Sequence, residues 1–60
     1  MHDRLEPLIC RNVIYTTTDS DETYTGIVER DSNGRPYIQD SEDTAVVVYD
    51  TGILATVQEV

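Results

Sequence analysis

Few side chains in this chain are suited to nucleophilic or acid–base catalysis. Cys10 is the only cysteine and His2 is the only histidine, and a thiol needs an activating base nearby to act as a nucleophile. We therefore expect Cys10 to be a buried, inert thiol. Paired carboxylates occur in turn segments, but acid–base catalysis requires a concave, partly dry site that separates their pKa values. The chain is thus not expected to be an enzyme; these carboxylates are Asp19, Asp21, Glu22, Glu42 and Asp43.

Carboxylates could also bind a metal ion, because oxygen ligands suit Ca²⁺ and Mg²⁺. Segment 19–22 places three of them within four residues. The segment lacks the glycine and the further ligand spacing of a calcium-binding loop. Gly34 and Gly52 are isolated turn residues and do not form a phosphate-binding loop. The sequence predicts neither a dedicated metal site nor a cofactor.

A basic and aromatic group around one turn is the remaining candidate for ligand binding. Arg30 and Arg35 flank the Asn-Gly turn in segment 31–34. Arginine and tyrosine side chains can stack on unpaired RNA bases. The alternatives are that the arginines neutralise Asp31 and Glu29 and that the tyrosines belong to the core or to an interface. The candidate RNA-binding residues are Arg30, Asn33, Arg35, Tyr37 and Tyr49.

The charge balance opposes nucleic-acid binding. Twelve acidic residues face four arginines and no lysine, so the net charge of the 60 residues is −8, whereas nucleic-acid affinity usually rests on a cationic surface. One explanation is an acidic surface adapted to concentrated salt; the lack of Lys beside abundant Asp, Glu, Thr and Val resembles the composition of halophilic archaeal proteins. The other is nucleic-acid mimicry, which requires carboxylates in rows, and here they cluster in turns.

A single domain spanning 1–60 must position these residues. Residues 1–10 predict a short helix with Asp3 as its N-cap and with Leu5, Leu8 and Ile9 on one face. From residue 12 onward, β-branched and aromatic runs alternate with polar turns. Five strands are therefore expected over 12–18, 23–29, 37–39, 44–49 and 53–60. Gly26, inside the second strand, predicts a bulge or a sharp bend.

The fourth predicted strand contains the unbroken apolar run 45–49, which predicts burial on both faces and a central position in the sheet. One helix followed by five bent antiparallel strands predicts a mainly β fold, a small SH3-like barrel that is partly open and capped by the helix. Its expected core is Leu5, Leu8, Val13, Ile27, Val28, Ile38, Val46, Val48, Ile53, Ala55 and Val57.

Three segments resemble motifs of the Sm-like family, in particular its bacterial Hfq branch. They are the helix element 5–13, the glycine strand Tyr24-Thr25-Gly26-Ile27-Val28-Glu29, and the tyrosine strand, tight turn and final strand in 48–57. The resemblance implies a bent barrel that assembles into rings through strand edges and binds RNA. RNA-binding members carry a basic residue in the turn before the last strand, where this chain has Asp50 and Thr51. We therefore expect weak or absent RNA binding.

Small size favours a role in association. A chain of this length buries only about 60% of its unfolded surface, and its single cysteine excludes an internal disulfide, so oligomerisation is the remaining source of stability. Open strand edges can pair with another chain. We expect a small non-enzymatic interaction module that oligomerises through strand edges or binds another protein, and a regulatory role is compatible with this. The alternative is an Sm-like RNA-binding protein or RNA chaperone. The expected interface residues are Val46, Val48, Leu54 and Thr56.

The sequence also predicts where the protein is found. No apolar run approaches the ~18 residues of a membrane span, and no charged-then-apolar signal segment opens the chain. We therefore expect a cytoplasmic protein without membrane contact.

Overall fold

A computed structural model describes residues 3–60, which form a five-stranded antiparallel sheet curled into a half-barrel. A single 3-10 turn, Glu6–Leu8, precedes the sheet. The predicted mainly β class with five short strands is confirmed. The strand order is β4-β3-β2-β1-β5, so β4 and β5 lie at its two edges. The strands are β1 (Asn12–Thr17), β2 (Thr23–Arg30), β3 (Pro36–Asp40), β4 (Val47–Tyr49) and β5 (Leu54–Glu59).

The predicted N-terminal helix is wrong, because the described part of that segment contains only the 3-10 turn. Pro7 has no N–H to continue a helix, and Cys10 adopts a left-handed φ of 69° that ends the turn. The predicted N-cap is also wrong, because the N-cap of this turn is Leu5 and it makes no side-chain capping hydrogen bond. Asp3 lies two residues earlier, and its Oδ1 accepts a hydrogen bond from the Leu5 N–H at 2.9 Å. Leu5 is fully buried against the sheet. Met1 and His2, which the prediction included, lie outside the described residues.

Arg4 anchors this N-terminal segment to the turn between β4 and β5. Its Nη2 and Nε donate to Asp50 Oδ1 at 2.7 and 3.1 Å, and its backbone N–H donates to Asp50 Oδ2 at 2.7 Å. The guanidinium also donates to the carbonyl oxygens of Leu54 and Ala55. The hydrogen bond from Arg4 lowers the pKa of Asp50. Asp50 is thus part of the fold and not an exposed turn residue.

The predicted central position of the fourth strand is also wrong. β4 lies at an edge and contains three residues, because most of the segment before it forms turns. The Oδ1 atom of Asp40 accepts hydrogen bonds from the backbone N–H groups of Glu42 and Asp43, and the Asp43 carbonyl accepts one from the Val46 N–H. These bonds hold residues 41–46 outside the sheet. An apolar run does not distinguish such a segment from a buried strand.

The core lies on the concave face of the sheet. Five predicted core residues are buried, and Leu8 and Val57 are partly buried; the five are Leu5, Val13, Val28, Ile38 and Val48. The prediction was wrong for four side chains that are exposed, namely Ile27, Val46, Ile53 and Ala55. Tyr15 and Leu54 are buried instead.

Side-chain alternation explains the errors in β2 and β5. Val28 faces the core, so its neighbour Ile27 points to the convex face of β2. In β5, a register shift opposite Thr16 and Thr17 leaves one extra residue in the strand. This bulge reverses the alternation, so that Leu54 and Val57 face inward and Ala55 does not. A bulge cannot be located from a pattern that assumes strict alternation.

Gly26 is required by the close approach of β2 and β3, and neither of its strand pairings shows the predicted bulge. A Cβ atom at this position would lie 2.5 Å from the Gln39 carbonyl oxygen and 2.6 Å from Cγ2 of Ile38. The glycine therefore allows β3 to curl over β2.

One polar contact lies inside the core. The hydroxyl of Tyr15 donates a 2.7 Å hydrogen bond to Oδ2 of Asp40, and both residues are buried. Burial and this hydrogen bond raise the pKa of Tyr15. The same bond, together with the Glu42 N–H, lowers the pKa of Asp40. A charged carboxylate at the end of β3 is thus tied to the middle of β1.

Candidate functional site

The free edge of β4 is the first surface that could bind another chain. The Asp40 N–H donates to the Val46 carbonyl at 3.2 Å, and Ile38 lies opposite Val48. Backbone N–H and C=O groups in antiparallel strands point alternately toward and away from the partner strand. The backbone groups of Val48 therefore point toward β3, and those of Val47 point away from it. The outward N–H and C=O of Val47 are therefore available at the edge. The Val47 side chain is 47% exposed.

The second free edge belongs to β5. The Val60 N–H donates to the Asn12 carbonyl at 2.9 Å, and the same alternation directs the backbone groups of Val57 and Glu59 away from β1. At the start of the strand, the Leu54 and Ala55 carbonyls are already bound by Arg4. The available part of this edge is consequently its C-terminal half.

The predicted interface residues fall into two groups. Val48 and Leu54 lie in the monomer core, 7% and 3% exposed, so their side chains are not on the surface. Val46 and Thr56 are exposed, and the Thr56 hydroxyl is hydrogen-bonded to that of Thr16 on the convex face. Val47, which was not predicted as an interface residue, is the exposed first residue of β4.

Three of the predicted RNA-binding residues form a cluster beside the turn that joins β2 and β3. The rings of Tyr37 and Tyr49 lie opposite each other on neighbouring strands, with their centroids 5.8 Å apart and their planes tilted by 47°. The guanidinium carbon of Arg35 lies 4.5 Å from the centre of the Tyr49 ring. Such a cation–π contact is worth about 0.5–1 kcal/mol at an exposed site. We call these three residues the aromatic cluster.

Asp31 organises this turn and was not predicted to do so. Its Oδ1 accepts hydrogen bonds from the backbone N–H groups of Asn33 and Arg35, at 2.8 and 2.9 Å, and its Oδ2 accepts one from the Tyr49 hydroxyl at 2.9 Å. The bond from the Arg35 N–H is the main cause that lowers the pKa of Asp31. The bond to Asp31 raises the pKa of Tyr49. Gly34, with a φ of 82°, completes the turn.

Arg30 and Asn33 are not part of the aromatic cluster. The Nη2 atom of Arg30 forms a 2.7 Å ion pair with Glu6, and its Nη1 donates to the Gly34 carbonyl at 2.9 Å. Asn33 is exposed in the turn, and its backbone N–H is bound by Asp31. The arginines therefore do not form one basic spot; Arg30 pairs with Glu6, and neither arginine forms an ion pair with Glu29 or Asp31 among residues 3–60.

Cys10 is exposed, so the prediction of a buried thiol is wrong. Its backbone N–H donates to the Val28 carbonyl at 2.8 Å, and Leu5, Leu8 and Ile9 cover the core in its place. Among residues 3–60, no group of three or more histidine, cysteine, aspartate or glutamate side chains could hold a metal ion. In the same part of the chain, no helix is long and apolar enough to cross a membrane.

The fold and these surfaces define a small curled antiparallel sheet with two open edges and an aromatic cluster near one of them. Comparisons with protein-family models, with curated proteins and with solved structures found no match.

Proposed function

We propose that this protein is a non-enzymatic interaction module that associates with copies of itself through its strand edges. The observation that carries the proposal is the strand order, in which β4 and β5 each lack a neighbouring strand on one side within residues 3–60. Unpaired backbone groups at an exposed edge bind another strand readily. The curled sheet is compatible with the SH3-like, Sm-like barrel that the sequence motifs resemble, and we propose that fold family as well.

The two edges differ, which determines the kind of assembly. Contact between β4 of one copy and β5 of the next is head-to-tail, and it produces a closed ring or an open filament. Contact between two β4 edges instead gives a twofold dimer. We favour the head-to-tail contact, because β5 has six residues and offers β4 the outward N–H and C=O groups of Val57 and Glu59. A second β4 has only three residues and is a shorter partner strand.

Charge should control this association. Each copy carries a net charge of −8, so two copies repel each other in dilute buffer. The Debye length falls from about 10 Å at 0.1 M salt to about 3 Å at 1 M, which removes most of this repulsion. Association is therefore expected to strengthen as the salt concentration rises.

Proline substitutions test the two edges separately, because proline lacks the N–H that an added strand would bind. Val47→Pro blocks β4 and Glu59→Pro blocks β5, in each case at an outward-facing N–H. Val47→Thr and Glu59→Gln are the matched controls, since they keep the N–H. Sedimentation velocity in low and high KCl measures the assembly of each variant.

A head-to-tail contact predicts that each proline variant is monomeric alone. An equimolar mixture of the two should form dimers and nothing larger, because each variant retains one intact edge. If Val47→Pro is monomeric and Glu59→Pro assembles like the wild type, the contact joins two β4 edges. A wild-type protein that stays monomeric at every salt and protein concentration contradicts the proposal.

RNA binding is the second candidate, and the aromatic cluster favours it. Tyr37 and Tyr49 are partly exposed neighbours, with Arg35 beside them, and aromatic and arginine side chains stack on bases. The net charge and the involvement of Asp31 in the cluster weaken this candidate, so we expect weak binding. Labelled U-rich and A-rich oligonucleotides test it. Submicromolar affinity that is lost in Arg30→Ala/Arg35→Ala would place RNA binding first.

A further inference from the structure

A pocket of about 440 Å³ opens on the concave side of the half-barrel, beside β4. Its walls include two of the exposed large apolar side chains, Val46 and Ile53, which are 39% and 49% exposed. The rings of Tyr15 and Tyr24, stacked with centroids 5.6 Å apart, lie at its floor. A pocket of this size, with apolar walls and a few polar groups, falls within the range of ligand-binding pockets.

The charged groups of this pocket have one sign. Its lining contains four carboxylates and no arginine; the four are Asp19, Asp40, Glu42 and Asp43. The three ion pairs among residues 3–60 use other carboxylates, those of Glu6, Asp50 and Glu59. The negative charge of the pocket is therefore not neutralised by any arginine that the structure describes.

We propose that this acidic pocket binds a basic side chain, lysine or arginine, from an apolar segment of a partner protein. Long basic side chains bury their methylene groups along apolar surfaces and keep the charged end in a polar environment. Val46 and Ile53 offer the apolar surface, and the carboxylates offer the complementary charge. A polyanion such as RNA would be repelled from the same place.

The chain's own arginines are poor candidates for the occupant. Arg4, Arg11 and Arg30 form ion pairs within the monomer, and Arg35 lies on the Tyr49 ring. A second copy would have to break one of these contacts before it could fill the pocket. A different protein would not, so the occupant is assigned to a partner. This inference does not depend on self-association through the edges.

The test uses the peptide acetyl-Val-Lys-Val-Lys-Val-amide and the same peptide with glutamine at both lysine positions. Binding to the full chain is followed by chemical-shift changes in two-dimensional NMR spectra. The lysine peptide should bind with a Kd below about 1 mM and shift the resonances of residues 42–48 and 53. The glutamine peptide should bind at least about fivefold more weakly, because it lacks the charge that complements the pocket.

A pair of double variants separates the pocket from the general negative charge of the protein. Glu42→Gln/Asp43→Asn removes two charges from residues that line the pocket, and Asp21→Asn/Glu22→Gln removes two from residues that do not line it. The first should weaken binding of the lysine peptide at least about fivefold, and the second less than about twofold, because solvent and salt screen charges that the bound side chain does not contact. Equal binding of the two peptides, or equal loss in the two double variants, overturns the proposal. Absence of shifts at residues 42–48 does so as well.

Discussion

The close approach of β2 and β3 at Gly26 leads to a quantitative prediction about stability. In Gly26→Ala, the new Cβ would lie 2.5 Å from the Gln39 carbonyl oxygen and 2.6 Å from Cγ2 of Ile38. The first contact is with backbone, and Ile38 is fully buried, so neither neighbour can rotate away. The strands must separate by roughly 1 Å to restore van der Waals distance, which disturbs the packing of the core.

The loss of stability in Gly26→Ala is estimated from substitutions of the same kind in other proteins. Overpacking a core by one carbon typically costs about 1–3 kcal/mol, whereas an alanine that fits its site gains about 0.4–1 kcal/mol from the unfolded state. Because one of the two close contacts is with backbone, we expect a cost near the upper end of that range, about 3 kcal/mol, and therefore a net loss of about 2 kcal/mol. A domain of this size has a free energy of unfolding of about 3–9 kcal/mol. Since 1 kcal/mol corresponds to roughly 4–8 °C in a domain of 60–100 residues, Tm should fall by about 8–16 °C.

Gly52→Ala is the matched control, because a Cβ there meets nothing within 4 Å and its φ lies outside the left-handed region. Thermal and urea unfolding, followed by far-UV circular dichroism, measure both variants in the same buffer. Gly52→Ala should be neutral or slightly stabilising. A difference in Tm of about 2 °C corresponds to no more than about 0.5 kcal/mol in a domain of this size. If the Tm values of Gly26→Ala and Gly52→Ala differ by less than that, β2 and β3 are not as close at Gly26 as described. Should Gly26→Ala be unfolded in dilute buffer, the comparison is repeated in concentrated KCl.

Three further predictions concern the core, the surface charge and the buried tyrosine. Truncation of the core residue Val48 in Val48→Ala should lower the free energy of unfolding by roughly 1–3 kcal/mol in urea titrations, whereas the exposed Val47→Ala should change it by less than about 0.5 kcal/mol. Tm of the wild type should rise from dilute buffer to multimolar KCl, because screening relieves the repulsion within a chain of net charge −8; a flat or falling Tm would contradict the salt-adapted interpretation. Asp40 has a lowered pKa in the fold, so it contributes stability that is present above the unfolded pKa of about 3.9 and lost as the pH falls through the folded value. Urea titrations from pH 7 to pH 2.5 should therefore show a shallower acid loss in Tyr15→Phe than in the wild type, and identical slopes would argue against the Tyr15–Asp40 bond.

Turn chemistry and strand composition predicted most of the fold. The β-branched runs placed all five strands to within a few residues, and the Asn-Gly pair located the turn between β2 and β3. The apolar run at 45–49 was misinterpreted because the backbone of Glu42 and Asp43 binds the Asp40 carboxylate. Those bonds span only two and three residues, a local pattern that is common for aspartate in turns. The apolar run itself does not reveal that the Asp43 carbonyl accepts a hydrogen bond from the Val46 N–H, which extends the turn into the run.

The candidate site was predicted less well than the fold. Arg35, Tyr37 and Tyr49 were all predicted, and the structure brings them together. Arg35 and Tyr37 follow the turn between β2 and β3, whereas Tyr49 reaches them because β4 pairs with β3. Arg30 was assigned to the same group, but in the pairing of β2 with β3 it lies opposite Pro36, whereas Glu29 lies opposite Tyr37. Because neighbouring residues in a strand point to opposite faces, Arg30 and Tyr37 lie on different faces of the sheet. Arg30 pairs with Glu6 instead. The ion pair between Arg4 and Asp50 joins residues that are 46 positions apart. Local sequence carries no information about contacts of that range.

The position of Arg4 links the stability of the monomer to its proposed association. Its guanidinium binds the Leu54 and Ala55 carbonyls while it pairs with Asp50, and its side chain is 46% exposed. It thus covers the N-terminal part of the β5 edge and leaves the outward groups of Val57 and Glu59 available. Removing this arginine would expose two more carbonyls at the edge and would leave Asp50, whose side chain is 12% exposed, without its cation. The same side chain therefore holds the N-terminal segment on the sheet and limits how far a partner strand can extend along β5.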